Sequence, residues 1–413
     1  METASGASWA GLSALERRMC EHIAQRQAFL LDDLRCHVAI PTGGNNVPAL
    51  DETRALLTQR LAKLGASVEI HPGDPRPEWL FGVDASSPNL PTAVCARTSG
   101  RASATRILLA GHLDTVHDPH GPFRELSIRP DGQTATGPGC VDMKGGLVIL
   151  VAALESLEAC GVDVAWSVVL NSDEETGTYC SDRHLREQAA KHDVALTVEP
   201  ALPKGELAIE RPGSGQFFVE VRGRSAHVGR AFTEGVSAVN RLAHELLRIA
   251  DMPDPARGRI INVGPIEGNR AANAVPDRAR AWGNVRYPDA QIERELGDML
   301  DALATPPDAT PGVRVERSFN RPPKPLTDSV QKLALLAREA AENLGQSLPF
   351  AKTGGVCDGN NMQAAGIPVI DTLGVRGGGL HTPDEWIDLR SLVERCQLLA
   401  LVIARLAEGR LAS

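Results

Sequence analysis

The sequence predicts an α/β fold: a central mixed sheet flanked by helices, interrupted by a smaller ferredoxin-like βαββαβ unit. Three observations carry this. Four apolar, strand-like runs recur, and each delivers a histidine or a carboxylate at its C-terminal end. Arg106–Ala110 leads to His112 and Asp114, and Val164–Leu170 to Asp173, Glu174 and Glu175. Val194–Val198 leads to Glu199, and Val369–Leu373, through a glycine-rich loop, to His381. Helical stretches separate these runs, as parallel strands require. At about Gly213 the pattern changes to alternating strands with two helices, and beyond Pro322-Pro323 the first pattern returns.

A chain of 413 residues exceeds what one ordinary core holds, so two domains are expected. The first is discontinuous, residues 1–212 and 322–413, and the insert is residues 213–321. With 42% hydrophobic residues the chain reads as globular. A net charge of −9 without a basic stripe argues against nucleic acid as a partner. No apolar segment approaches the roughly 20 residues that span a bilayer, so no membrane association is expected. Met1 to Trp9 lack the pattern of a signal peptide, and the eight cysteines show no CxxC pairing. Reduced thiols in a cytoplasmic protein are the expectation.

In order, the chain opens with two helical stretches, about Ser13 to Cys36 and Leu50 to Leu64, split by the turn-forming segment from Pro41 to Asn46. Ser67–Ile70 and Thr92–Ala96 read as strands before the one that reaches His112. The run from Leu147 to Cys160 is apolar around most of its circumference, as in a helix packed under a sheet. A polar helix is expected from Cys180 to Lys191. In the insert, Gln216–Arg222, Arg259–Val263, Arg278–Tyr287 and Val313–Ser318 are strands, and about Ser237 to Met252 and Ala290 to Ala304 are helices, which gives the βαββαβ order.

In open α/β sheets, ligands bind at the carboxyl edge of the strands. Two histidines and several carboxylates gathered there suit a borderline-hard divalent metal, zinc first. His112 and Asp114 lie two apart on an extended segment and share a face, so the Asp114 carboxylate is expected against the ring edge of His112 that faces no ligand. His117 and His120 read as loop residues and Cys140 and Cys357 as small packing residues. Asp358, Gly354-Gly355 and Gly377–Gly379 are expected to line a substrate pocket.

Eight motifs occur in a fixed order: Gly111-His112-Leu-Asp114-Thr-Val, Gly137-Pro-Gly-Cys-Val-Asp142-Met-Lys-Gly-Gly, Asp173-Glu174-Glu175-Thr-Gly, Val198-Glu199-Pro, Gly223-Arg-Ser-Ala-His227, Ala272-Asn273-Ala-Val-Pro-Asp, Asn284-Val-Arg286-Tyr and Gly379-Leu-His381. In these the chain resembles, over nearly its whole length, the dinuclear-zinc hydrolases of metallopeptidase family twenty. That family includes glutamate carboxypeptidase, acetylornithine deacetylase, succinyl-diaminopimelate desuccinylase and the aminoacylases.

The resemblance implies a zinc-hydrolase catalytic domain, a lid and dimerisation domain at 213–321, and a homodimer. It implies two zinc ions, with cobalt or manganese as substitutes. Asp142 would bridge them, His112 and Glu199 would complete one site, and Glu175 with His381 the other; the peptide after Asp142 is expected to be cis. Glu174 falls at the general base and Asp114 at the residue that orients the metal-binding histidine. His227 would reach into the neighbouring subunit's site to hold the developing oxyanion, while Asn273 and Arg286 grip the substrate. The implied reaction cleaves an amide or peptide bond beside a free carboxylate by attack of a hydroxide made at the metals, on a peptide or N-acyl amino acid. The pattern is closest to glutamate carboxypeptidase, yet the segments Val356–Asn361 and Val375-Arg376 depart from it. Arg376 is a candidate for a second anionic group, and Glu206 stands where a positive group is wanted. The alternative, a catalytically inactive binding protein on the same scaffold, requires loss of a ligand or of the base, and all are present.

Overall fold

The structure, a computed structural model, describes Trp9 and residues 11–43, 46–84, 86–101, 104–268 and 271–412. Its central sheet has six strands in the order Ser67–His71, Thr92–Arg97, Ala165–Asn171, Arg106–His112, Val194–Thr197, Val369–Ile370. The last four run parallel, Thr92–Arg97 runs against them and Ser67–His71 pairs antiparallel to Thr92–Arg97, so the sheet is mixed, as expected. Helices cover both faces, which is why the strands read as unbroken apolar runs. Ile107 and Leu109 enter one core with Leu34, Leu150 and Leu399, while Leu108 and Ala110 enter a second with Leu185, Ala189 and Met362.

The apolar run after Asp142 forms the helix Lys144–Ala159, in which every residue from Lys144 to Leu154 is buried. It starts tight against the strand end that carries Glu199. A Cβ on Gly146 would lie 2.1 Å from the Val198 carbonyl oxygen, so only glycine lets the helix pass.

Several boundaries differ from the sequence reading. The first helical stretch breaks at Arg26 into Ala14–Gln25 and Gln27–Ala39; Arg26 leaves helical geometry, and its guanidinium bonds Glu155 at 2.5 Å. The second begins at Val47, with Pro48 in the first turn, where a missing N–H costs nothing. The polar helix shortens to Asp182–Ala189, because the Cys180 N–H and the Ser181 hydroxyl donate to the Asp173 carboxylate and stay in the preceding turn.

Residues 213–321 follow the β-α-β-β-α-β order. Four antiparallel strands lie as Ile260–Glu267, Arg278–Tyr287, Gly213–Arg222, Gly312–Arg321. Phe217, Val219 and Val221 pack with Leu242, Ile249, Leu296 and Leu300 of the two helices. Phe218 and Trp282 meet Trp79, whose backbone oxygen accepts a 2.6 Å bond from the Trp282 ring.

The sequence reading missed a small four-stranded sheet in the order Gly377–Gly378, Trp386–Asp388, Thr134–Thr136, Ser127–Ile128. It joins the segment before Asp142 to the segment around His381. Among the described residues no helix is long and apolar enough to cross a membrane.

Candidate metal centre

His112 closes its strand, Glu199 and Glu175 follow theirs, Asp142 precedes the long helix, and His381 sits between two strands of the small sheet. The fold brings all five together. Asp142 turns one oxygen to His112 Nε2 at 3.3 Å and the other to His381 Nε2 at 3.5 Å. Glu199 Oε2 lies 3.9 Å from His112 Nε2, and Glu175 Oε2 lies 3.2 Å from His381 Nε2. In each group, His112/Asp142/Glu199 and Asp142/Glu175/His381, the potential ligand atoms lie within 4.8 Å of one another.

These residues fit a pair of divalent cations. His112 Nε2, Asp142 Oδ1 and Glu175 Oε1 are buried and have no hydrogen-bond partner. An orphaned buried polar atom costs about 1–3 kcal/mol, and a coordinated cation removes that cost. Nitrogen and oxygen donors without thiolate suit zinc, cobalt or manganese. The Asp142-Met143 peptide is cis. His381 itself is in the left-handed region at φ 62°, as are Thr178 and Thr372 beside the cluster, and such backbone persists only where its surroundings enforce it.

The electrostatics show anionic excess. Burial pushes Glu175 up to about 7 against the pull of His381, and lifts Glu199 well above the carboxylate range. Burial alone would lower His112, yet Asp114 and Asp142 hold it well above its ordinary value. Asp142 and Glu175 raise His381 to about 10.

Asp114 differs from expectation in detail. His112 Nδ1 lies 3.0 Å from the Asp114 backbone oxygen and 3.4 Å from the carboxylate. The carboxylate instead accepts from the Glu174 and Glu175 N–H groups at 3.3 and 2.9 Å, because the strand ends at His112 and the chain turns beneath the Glu174-Glu175 loop. Glu174 and Glu175 diverge. While Glu175 meets His381, Glu174 Oε1 pairs with Arg321 Nη2 at 2.8 Å, and the same guanidinium donates to the Glu174 carbonyl at 2.6 Å. Arg321 escaped the sequence reading because an arginine before two prolines carries no signal of its own. Glu385 escaped it as well, since a lone glutamate beside Asp384 in a loop carries no more signal.

The cluster opens into a cavity of about 780 Å³. Asp142, Glu174, Glu175, Glu199 and His381 line it with Arg76, Arg211, Arg286 and Arg321, and apolar walls come from Leu80, Phe81, Val83, Leu202 and Leu380. Arg286 donates to the Ser214 hydroxyl at 2.6 Å and to the Asn284 side chain, and pairs with no carboxylate among the described residues. His227 and Asn273 are exposed, on or beside the paired strands Ala226–His227 and Ala274–Val275, and do not line the cavity of their own chain.

Four pocket expectations are corrected. Asp358 is buried below the cavity, accepting from Asn171 and Thr178 at 2.9 Å, because it opens the helix Asp358–Ala364 under the sheet. Arg376 is spent on Asp388 at 2.9 Å and on Glu394. The Glu206 carboxylate accepts from the Lys204 N–H and is not part of the cavity lining. Of the expected glycines, Gly355 and Gly377–Gly379 line it and Gly354 does not. Cys140 and Cys357 are buried, and burial pushes both thiols well above their ordinary value.

Two imidazoles and three carboxylates gathered at the carboxyl edge of the parallel strands define a candidate metal centre, and the class of protein that carries it follows from the family. The chain belongs to Peptidase family M20/M25/M40, whose family model matches residues 108–405. Carboxypeptidase G2 from Pseudomonas sp. is 30% identical over 329 residues, 77% of each chain. A succinyl-diaminopimelate desuccinylase from Methylobacterium nodulans is 30% identical over 398 residues, covering 87% of this chain and 90% of the relative. Among solved structures, a tripeptidase from Staphylococcus aureus superposes with TM-score 0.73 at 21% identity, covering 92% of this chain and 99% of that one. A di-peptidase from Saccharomyces cerevisiae gives TM-score 0.71 at 15% identity, covering 97% and 99%. At these identities the structural likeness speaks for the fold alone.

Proposed function

We propose that the protein is a dinuclear-zinc hydrolase that cleaves an amide or peptide bond next to a free carboxylate, as a carboxypeptidase or as an N-acyl-amino-acid deacylase. The observation that carries this is the divided carboxylate of Asp142, one oxygen toward each imidazole, with Glu174 standing beside both groups and belonging to neither. His112, Asp142 and Glu199 would hold one ion, and Asp142, Glu175 and His381 the other. Bound there, the ions supply Lewis acidity and bring the pKa of a water from about 15.7 toward about 7.

Glu174 accepts a proton during attack and returns it to the departing nitrogen, which leaves badly unless protonated. Its pairing with Arg321 fixes the direction of the carboxylate before substrate arrives. Arg286, a cation in the cavity without an anionic partner among the described residues, grips the free carboxylate of the substrate through its planar fork. His227 and Asn273 lie outside the cavity of their own chain, which supports a homodimer in which residues 213–321 serve as lid and dimerisation domain. In it they complete the partner's cavity, His227 as donor to the oxyanion. The names of the two relatives, a carboxypeptidase and a desuccinylase, support both arms of the reading. Eight free cysteines accord with a cytoplasmic location.

Zinc-loaded protein assayed on N-acyl amino acids and dipeptides, with Glu174→Ala as blank, tests this. The variant is expected to keep both ions and lose nearly all turnover. An active variant refutes the base assignment, and a protein that holds two zinc ions yet hydrolyses no amide in the panel refutes the function.

A further inference from the structure

We infer that Glu385, with His117 against it, is a positioning residue that ties together the three segments bearing His112, Asp142 and His381, and so sets the zinc affinity of both subsites. The inference rests on the reading of the cluster as a metal centre and adds a component to it.

Glu385 is 1% exposed and lies on the segment that carries His381. Its Oε1 accepts from the N–H groups of Val141 at 2.9 Å and Asp142 at 3.0 Å. Its Oε2 accepts from the Gly139 N–H at 2.9 Å and lies 2.5 Å from His117 Nε2. Its backbone oxygen takes the Gly137 N–H at 3.3 Å. One carboxylate thus gathers three main-chain donors of the segment that ends in Asp142. Through His117 it also holds the segment that follows His112. The His117 ring is packed edge-on against Phe123 at 5.2 Å, which restricts it to this partner.

None of these bonds reaches a ligand atom. They act through the backbone, and they act on both subsites, because Asp142 serves both groups. Charge is essential to the arrangement. Bonds from N–H to an ionised acceptor are roughly twice as strong as neutral ones, and an ionised carboxylate accepts on both oxygens. A glutamine cannot replace it. With its amide nitrogen in the Oε2 place it faces the Gly139 N–H, and in the Oε1 place it orphans both Val141 and Asp142. Either orientation shifts the backbone at Asp142. This assigns a role to His117, which lies close to His112 in the sequence but is no part of the ligand set.

The test is a chelator-competition titration with Zn2+ on the full chain, for the wild type, Glu385→Gln, His117→Gln and the double variant. Glu385→Gln is expected to lose about 10- to 100-fold in zinc affinity at both sites, the usual cost of removing an outer partner of a ligand. His117→Gln should lose less, and the double variant no more than Glu385→Gln alone. A role in stability alone would lower the melting temperature of the metal-free protein while folded molecules keep wild-type zinc affinity, and that result overturns the inference. If Glu385→Gln does not fold, His117→Gln decides: unchanged affinity overturns it. A wild type that takes up no zinc overturns the metal-centre reading as well, whereas a zinc-binding wild type with unaffected variants overturns this inference alone.

Discussion

Zinc loading of the metal-free protein is expected to expel protons, and the number follows from the site. Asp142 and Glu175 hold the His381 imidazole up at about 10, and His112 also stands well above its ordinary value. Both are therefore imidazolium at neutral pH, and a metal ligand must be neutral imidazole. At least two protons leave as two ions enter. Burial also raises Glu175 and Glu199, so protons held on these carboxyls leave as well and two is a lower bound. The overall two-ion binding constant should then rise at least about 100-fold per pH unit near neutrality. Calorimetric titration with Zn2+ in buffers of different ionisation enthalpy counts the protons directly. No net release, with affinity independent of pH, would show that His112 and His381 are not the ligands. The metal-free protein carries a linked signature. His381 has a folded pKa raised above the unfolded value of about 6.5. Its contribution to stability is fully present below that value and is lost as pH rises through about 10. Zinc-loaded protein, with the imidazoles already deprotonated, should not show that decline.

Replacing Arg286 by alanine should cost about 10- to 100-fold in kcat/KM on a substrate with a free carboxylate, from the loss of a charged hydrogen bond of about 1.5–3 kcal/mol. Equal losses on the acid and on its carboxamide in steady-state kinetics would remove Arg286 from substrate recognition. Arg321→Met leaves Glu174 buried without its cation and should destabilise the metal-free protein by about 3–5 kcal/mol in denaturant titration; an unchanged midpoint would contradict the pairing. Gly146→Ala forces a Cβ onto the Val198 carbonyl at 2.1 Å and should cost at least about 1–3 kcal/mol, read as a lowered melting temperature.

The carboxyl edge of the sheet was legible because strand and function share one signal. A buried parallel strand must be apolar on both faces, so the first charged residue after it marks where the sheet ends and a ligand can begin. That rule points directly to His112 and Glu199 and, after the strand Ala165–Asn171, to the run Asp173-Glu174-Glu175, within which it does not single out Glu175. His381 and Asp142 are harder, since no parallel strand of the main sheet ends in them; motif order supplied them, and a small sheet of two- and three-residue strands that no periodicity reveals sets their position. Helix ends were misplaced where a tertiary bond decided them, as at Arg26 with Glu155 and at Ser181 with Asp173. Arg321 and Glu385 were invisible because each meets groups far away in sequence, Arg321 at Glu174 and Glu385 at His117 and the main chain from Gly139 to Asp142, whereas Arg376 closes on the nearer Asp388 and Glu394, which no local pattern marks.

The distribution of charge explains why this site demands cations that the chain does not supply. Burial pushes Asp173 up to about 6 and Asp358 to about 7, with the charge of Asp114 adding to the first and that of Glu174 to the second; Glu175 and Glu199 are raised as well. Two buried arginines stand nearby, but Arg321 is engaged by Glu174 and Arg211 is held bidentately by Asp371 at 2.7 and 3.0 Å. Without metal the remaining negative charge can be met only by protons, taken up on the imidazoles and on the raised carboxyls. Two divalent ions would replace those protons and satisfy the orphaned atoms of His112, Asp142 and Glu175 in the same step. An ion that binds only the folded state stabilises it by mass action. Chelation should therefore lower the melting temperature of the protein, and lower it more as the pH rises from about 6 to about 8, because at higher pH fewer protons remain to stand in for the metal.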